Sequence, residues 1–192
     1  MSERLDEVLS VLQRYEREPE HVQQVCRIAL MLFDQLEEIH SLKKNDREVL
    51  EAAALLHDIG WTKSPLGKRH HKITYKLVTE HPWKLWDQRE VELIANVARY
   101  HRKAHPAESH KPFTKLRPAD QSRVLRLSAL LRLADVLDRG HRGAILDLRC
   151  KLDGKRVTLE TKADTDLAAE REGLPRKSLL FQQVYGREVR LA

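Results

Sequence analysis

Cysteine is scarce in this chain, and long apolar runs are missing. Only two cysteines occur among 192 residues, Cys26 and Cys150, so no disulfide framework is expected and both thiols should be reduced and buried. The N-terminal residues MSERLDEVLS are charged and contain no apolar core of a signal peptide. No apolar run approaches the roughly 20 residues that a membrane-spanning helix needs. We therefore expect a cytoplasmic protein without a membrane partner.

Glycine and aromatic residues are also few, which excludes several ways of binding phosphate or nucleic acid. The seven glycines form no glycine-rich phosphate-binding loop. Aromatic residues make up 5% of the chain, and no helix-turn-helix, zinc-finger or base-stacking motif is present. No pattern supports a serine or cysteine nucleophile. Nucleic acid is therefore not the expected partner.

Histidine and positive charge, by contrast, are plentiful. The chain has ten histidines and a formal net charge of +6 at pH 7. An excess of positive charge favours an anionic partner such as a nucleotide or a polyphosphate, and a merely basic surface is the alternative explanation.

The spacing of apolar residues divides the chain near residue 142. Before that point the period is helical, and the segment KAHPAESHKPFTKLRPADQ is expected to be a long loop. The predicted helices cover residues 3–14, 19–36, 47–58 with Gly60 as C-cap, 70–80, 89–102 and 119–139. After Gly143, two alternating runs surround Asp153-Gly154 and predict a β-hairpin. A helix from near Pro175 to Gly186 and a short strand in EVRLA follow. The sequence predicts a mainly α fold, with a helical domain at 1–142 and a small α+β tail at 143–192 (hairpin, helix, short strand).

Four predicted helices carry a histidine or an aspartate on their apolar stripe. His21 precedes Val25, Ile28 and Leu32 at helical spacing, and His57 follows Leu50, Ala53 and Ala54. The other two stripes are Ile94, Val97, Ala98 and His101, and Leu127, Leu131 and Asp135. Each residue has an ordinary explanation, such as a hydrogen-bonded core histidine or an ion pair of Asp135 with Arg132 or Arg139. Together on separate helices, they favour a metal site for manganese, iron, zinc or magnesium.

The ordered set of His21, His57-Asp58 and Asp135 resembles the HD-domain superfamily of metal-dependent phosphohydrolases. The segments AALLHDIG, HHKITYKLV, IANVARYHRK, LSALLRLADVLDR and LLFQQVYGREVRLA resemble the C-terminal HD module of the exopolyphosphatase and guanosine pentaphosphate phosphatase family. The resemblance runs from about residue 15 to 192 and implies an HD-type helical bundle. Full-length members carry a phosphatase domain ahead of this module, and its phosphate-binding glycine motifs are missing here. The chain therefore resembles a free-standing module, to which exopolyphosphatase activity does not simply carry over.

The resemblance also implies which residues hold metal. The ligands of a first ion are His21, His57, Asp58 and Asp135. A second ion would add His101 and one histidine of the pair His70 and His71. The four-residue spacing from His70 to Thr74 favours His70, while His71 is equally near in sequence. The cofactor is thus one or two divalent ions of Mn, Fe, Mg or Zn.

A metal site of this kind suggests two functions. In the first, the chain is a phosphohydrolase in which Asp58 orients a metal-activated water and takes its proton. Its substrate is a nucleotide, an alarmone or a polyphosphate-type ester or anhydride. The residues expected to hold the substrate phosphates, each of which is otherwise a solvated surface charge, are Lys68, Arg69, Lys72, Arg102, Lys103 and Arg139. In the second, the chain is a non-catalytic polyphosphate-binding or regulatory module. The family role of the module in dimer contacts makes a homodimer a further expectation.

Overall fold

The helical period of the first two thirds of the chain builds a bundle of helices around one core. The computed structural model describes residues 2–64 and 66–192. The first four helices are α1 (Glu3–Tyr15), α2 (Pro19–Gln35), α3 (Glu37–His40) and α4 (Lys44–Leu56). A 3₁₀ helix (Ile59–Lys63) follows, and then come α5 (His70–Glu80), α6 (Gln88–Arg99), α7 (Lys111–Thr114) and α8 (Pro118–Val136).

The core lies between α2, α4, α6 and α8, and both α4 and α8 contact the other three of these helices. Their apolar stripes face inward, so that Leu32, Leu50, Ile94 and Leu131 are completely buried. Because a polar residue stands near one end of each of these stripes, the packing that buries the apolar residues also draws the polar ones toward a common region.

The C-terminal part contributes a three-stranded sheet and two helices. Strands β1 (Ile145–Asp153) and β2 (Arg156–Ala163) form the predicted antiparallel hairpin, and β3 (Glu188–Leu191) pairs in parallel with β2. Gly154 takes φ +50° in the turn, a conformation that glycine adopts without steric cost. The prediction of a mainly helical fold with a small C-terminal α+β part is confirmed.

The helix of the C-terminal part was predicted with the wrong start. Instead of one helix beginning near Pro175, the chain forms α9 (Ala168–Lys177) and α10 (Leu179–Tyr185). Pro175 lies within the last turn of α9, which ends two residues later. The buried face of α9 consists of Glu170, Gly173, Leu174 and Lys177, at the i, i+3, i+4, i+7 spacing of a helix. Only one of these four is a large apolar residue, so the stripe was not visible as a hydrophobic pattern.

Gly60 is not the C-cap of α4, as the sequence suggested. The helix ends at Leu56 with His57 as its cap, and Gly60 lies inside the 3₁₀ helix against α5. A Cβ atom on Gly60 would lie 2.2 Å from the His70 carbonyl oxygen and 2.7 Å from the Thr74 nitrogen. Glycine is required here for close packing rather than for ending a helix.

The segment predicted as one long loop is shorter than expected. It contains α7, and α8 begins inside its last residues at Pro118, where proline suits the first turn of a helix. Among the helices of residues 2–64 and 66–192, none is both long and apolar enough to cross a membrane.

Candidate metal centre

Six histidine and aspartate side chains from five helices meet at one end of the bundle. They are His21 in the first turn of α2, His57 and Asp58 directly after α4, His70 at the start of α5, His101 two residues after α6, and Asp135 in the last turn of α8. The four histidines are at most 5% exposed. Imidazoles and carboxylates in this number are seldom buried together unless they pair or bind a metal.

The six side chains form two triads that could each hold an ion. The first triad is His21, His57 and Asp135, and the second triad is Asp58, His70 and His101; in each, the facing atoms lie within 4.8 Å of one another. In the first triad, Asp135 Oδ1 lies 3.9 Å from His21 Nε2 and 3.8 Å from His57 Nε2.

The second triad is the tighter one. Asp58 Oδ1 lies 3.2 Å from His70 Nε2 and 3.3 Å from His101 Nε2, and the two nitrogens are 3.3 Å apart. Atoms that share one ion at about 2.1 Å lie about 3.0–3.4 Å from each other. The spacing of the second triad therefore fits a shared ion.

Asp58 belongs to the second triad and also faces the first. Its Oδ1 faces His70 and His101, whereas its Oδ2 lies 3.6 Å from Nε2 of His57 in the first triad. The sequence placed Asp58 with the first ion, and the geometry places it against both groups. A carboxylate in this position is suited to bridging two ions.

The second nitrogen of each of the four histidines faces an outer partner, which for His70 is the Gly67 carbonyl oxygen, 3.3 Å from Nδ1. His57 Nδ1 is 2.6 Å from the Ala54 carbonyl oxygen, and His101 Nδ1 is 2.7 Å from that of Ala98, three residues earlier in each case. His21 Nδ1 is 2.8 Å from Asp138 Oδ2. When Nδ1–H donates to such an acceptor, the lone pair of the neutral ring is at Nε2, the nitrogen that faces the triads.

Three buried atoms of the centre have no hydrogen-bond partner in the described parts of the chain. They are Nε2 of His21, Nε2 of His57 and Oδ1 of Asp58. Buried polar atoms without a partner are rare because losing hydration is costly. A nitrogen and oxygen donor set of this kind suits Mn, Fe, Zn or Mg, so the residues present fit a divalent metal.

The charge states of the two carboxylates also suit a cation. Burial raises the pKa of Asp58, but the surrounding imidazoles, His57 foremost, outweigh burial and hold it well below its usual range. Burial likewise raises the pKa of Asp135, and Lys177, followed by His101, lowers it further than burial raises it. Both carboxylates are therefore ionised at neutral pH.

The pKa values of two histidines of the centre are shifted in opposite directions. Burial holds the pKa of His101 well below its usual value, so that this ring is neutral, as a ligand must be. Burial also lowers the pKa of His21, but the hydrogen bond to Asp138 and the nearby carboxylates outweigh it, and the pKa is raised.

Lys177 and Asp138 belong to the centre and were missed by sequence reasoning. Lys177 Nζ donates to Asp135 Oδ2 and, at 2.9 Å, to the His101 carbonyl oxygen. Asp138 joins His21 to the chain beyond α8, because its Oδ1 accepts a hydrogen bond from Gly143 N at 2.8 Å. Asp138 had a signal in the sequence, since it comes three residues after Asp135 and thus on the same side of the helix predicted at 119–139. Lys177 lay on a helix whose start was misplaced.

A cleft of about 390 Å³ opens onto the centre and is rich in cations. Of the residues predicted to hold phosphate, Arg102, Lys103 and Arg139 line this cleft. Arg102 also lies 3.3 Å from His70 Nε2. Arg132 and Arg176, which were not among the residues predicted to hold phosphate, line the cleft as well.

The remaining predicted residues lie beside a neighbouring pocket of about 660 Å³, which we call the basic pocket. Lys68, Arg69 and Lys72 line it, together with Arg102 and Lys103, which border both spaces. His71 also lies here and belongs to neither triad. Of the histidine pair left open by the sequence, only His70 faces the centre.

Two histidines that line the basic pocket have lowered pKa values, mainly because they are buried and in smaller part because positive charges lie nearby. Burial, followed by the charge of His70 and of nearby arginines, lowers the pKa of His71 to about 4. The pKa of His110 is lowered by burial and then by Arg99 and Lys72.

Comparison with known proteins places the chain in a family. Residues 4–183 match the family described as Ppx/GppA phosphatase, domain III. No match was found among curated proteins.

Proposed function

The chain belongs to the Ppx/GppA phosphatase domain III family, and from this premise we propose that it is a metal-dependent phosphohydrolase of the HD type. The observation that carries the proposal is the pair of histidine–aspartate triads around Asp58, which face a cleft lined by arginine and lysine. The ordered set of His21, His57-Asp58 and Asp135, each at the end of a helix, supports the HD assignment.

In this proposal the two triads hold one or two divalent ions. His21, His57 and Asp135 would hold the first, His70 and His101 would hold the second, and Asp58 would be shared between them. When bound, such ions polarise a phosphoryl oxygen and lower the pKa of water toward neutrality. The Nδ1 hydrogen bonds fix the orientation of the imidazole rings, so that their Nε2 atoms point at the centre before an ion binds.

Asp58 acts on the attacking water in this proposal. Its ionised carboxylate faces both triads, Oδ1 toward His70 and His101 and Oδ2 toward His57, so it is placed to accept a hydrogen bond from a water there. Asp58 would therefore orient the water and take its proton, which it would release to the solvent of the cleft that it lines.

The cations of the cleft bind the substrate. Arg102 and Arg139 can contact phosphate oxygens in the bidentate manner of a guanidinium, and Lys103 adds a point charge. Arg132 has a different task, since it donates to the carbonyl oxygens of Tyr100 and Lys103 and so holds the backbone on both sides of His101. The substrate class is a nucleotide, an alarmone or a polyphosphate-type phosphate.

The test is phosphate release from a panel of nucleotides, alarmones and polyphosphates with added manganese or iron. We expect release by the wild type and its loss in Asp58→Ala. Metal content, measured by mass spectrometry of the purified chain, should fall in His57→Ala. Release that survives both substitutions would overturn the proposal.

A specific contact favours a second candidate function, a non-catalytic polyanion-binding module. Because Lys177 already neutralises Asp135, the first triad can be stable without an ion. If the folded, metal-loaded chain releases no phosphate from any compound of the panel but binds polyphosphate, this second function replaces the first.

A further inference from the structure

The basic pocket beside the metal centre has an unusual charge composition. Six lysines and arginines line it, and no carboxylate is among its lining residues. The six are Lys68, Arg69, Lys72, Arg99, Arg102 and Lys103. Acidic residues are almost as numerous as basic ones in the chain, 29 against 35, so a pocket without any of them is not what the composition predicts.

None of these six cations has an ion-pair partner within residues 2–64 and 66–192. Elsewhere in the fold arginines do pair: Arg47 binds Asp34, and Arg89 and Arg123 both bind Asp120. Unpaired like charges that converge on one pocket repel each other. An anion relieves that repulsion when it binds.

The backbone at the rim of the pocket is held in a conformation that residues other than glycine seldom adopt. Arg69 has φ +64° and Lys103 has φ +60°. Left-handed backbone at such residues persists when the surroundings impose it, and it is concentrated at ligand sites. At Lys103 the constraint is visible, because Arg132 donates a hydrogen bond to its carbonyl oxygen.

An aromatic side chain stands between the basic pocket and the cleft of the metal centre. The Trp61 indole stacks on the His70 ring with centroids 4.4 Å apart and an interplanar angle of 27°. It also packs closely on Gly67, where a Cβ atom would lie 2.2 Å from Cζ3 of the indole. These contacts hold the ring in place, and Trp61 nevertheless remains 39% exposed and lines both spaces.

We propose that the basic pocket and Trp61 together form a nucleotide-binding subsite, in which the cations take the phosphates and the indole takes the base. A fixed, exposed indole beside unpaired arginines and lysines offers stacking and charge to one ligand, and a nucleotide carries both a flat ring and phosphates. A bare polyphosphate would use the charges and leave the indole without a role. The inference builds on the proposed phosphohydrolase, because it selects a nucleotide among that enzyme's substrate classes.

The experiment measures ligand binding to the full chain from which metal has been removed. The full chain is treated with EDTA, and ADP and pyrophosphate are titrated into it by calorimetry, with tryptophan emission recorded in parallel. The two probes carry the same number of phosphoryl groups and differ by the nucleoside. We expect ADP to quench the emission and to bind about tenfold more tightly than pyrophosphate, since one base stacked on an aromatic ring contributes about that factor.

Three variants test where ADP binds. Lys72→Gln should lower the affinity for both ADP and pyrophosphate several-fold. Lys76→Gln is the matched control, because Lys76 lies one turn further along the same helix, outside the pocket, and pairs with Glu80. It should change the affinity for neither probe. Trp61→Phe keeps an aromatic ring of smaller area and should lower the affinity for ADP without changing the affinity for pyrophosphate. Circular dichroism checks that each variant is folded.

Equal affinity for ADP and pyrophosphate, or the same ADP affinity in Lys72→Gln and Lys76→Gln, would overturn the inference. Both measurements are made without metal and without turnover. A negative result in these binding measurements would not contradict the proposed hydrolase activity. Absence of hydrolysis by the chain would likewise not contradict the nucleotide subsite.

Discussion

Lys177, at the end of α9, donates a hydrogen bond to Asp135 Oδ2, while Asp135 Oδ1 faces the imidazoles of His21 and His57. The two oxygens of one carboxylate therefore serve different partners. Oδ2 is held by a lysine from the C-terminal part of the chain, and Oδ1 faces the two histidines of the first triad. Through this contact the C-terminal part takes part in the centre rather than only covering the helical core.

The first prediction concerns Lys177→Met. Without the ammonium group, the Asp135 carboxylate keeps its charge in a buried place with no cation, so the metal-free chain should lose about 3 kcal/mol of unfolding free energy. A bound divalent ion can replace the missing charge. The loss, measured by urea unfolding, should therefore be smaller with manganese than with EDTA. Lys162→Met, at an exposed lysine on β2, is the control. An equal loss under both conditions would contradict this account.

The second prediction compares two neighbouring histidines. His70→Ala removes a member of the second triad and should lower the number of metal ions bound per chain. His71→Ala, one residue further on, removes a side chain that faces the basic pocket and should leave that number unchanged. Metal content after dialysis, measured by mass spectrometry, decides the matter. Equal metal content in the two variants would show that the second triad does not hold an ion.

The third prediction is that Gly60→Ala disturbs the second triad from a distance. The added methyl group would meet the backbone of α5 at His70 and Thr74, which cannot turn aside as a side chain can. Overpacking of this kind costs about 1–3 kcal/mol, and the shift of α5 should also weaken metal binding. Gly140→Ala is a milder control, because its nearest neighbours are the side-chain atoms Arg142 Nε and Glu170 Oε1. Thermal unfolding with and without metal would reveal both effects, and identical behaviour of the two variants would refute the packing argument.

The fourth prediction concerns pH and lies outside the metal centre. The hydrogen bond from Arg89, with a further one from Arg123, lowers the pKa of buried Asp120 below its ordinary value of 3.8. A lowered pKa in the folded state stabilises the fold above the unfolded pKa, and this stabilisation disappears as the pH falls through the folded value.

Asp120→Asn should consequently be less stable than the wild type at pH 7, with a difference that narrows below about pH 3.8. Urea unfolding at pH 7, 5 and 3 measures the difference. Asp164→Asn, at an exposed aspartate on the loop after β2, should show no such trend. A difference for Asp120→Asn that stays constant with pH would rule out the ion pairs as its cause.

Much of the architecture could be predicted from local patterns. Apolar spacing located the principal helices, and α5 has the predicted bounds of 70–80. Alternation around Gly154 located the hairpin. These features follow from interactions between residues close in sequence, which a pattern of side chains can report. The bounds of α9 could not be found in this way, because its buried face is mostly polar or small.

The order of residues along the chain was enough to predict that histidines and aspartates lie on the apolar stripes of several helices. Their grouping is visible only in the folded chain: Asp58 faces both triads, His70 rather than His71 belongs to the second, and Lys177 from the far end of the chain contacts Asp135. The reason is physical. The periodicity of one helix specifies which way a side chain faces, whereas the distance between side chains on different helices depends on how those helices pack, and that is a property of the whole chain.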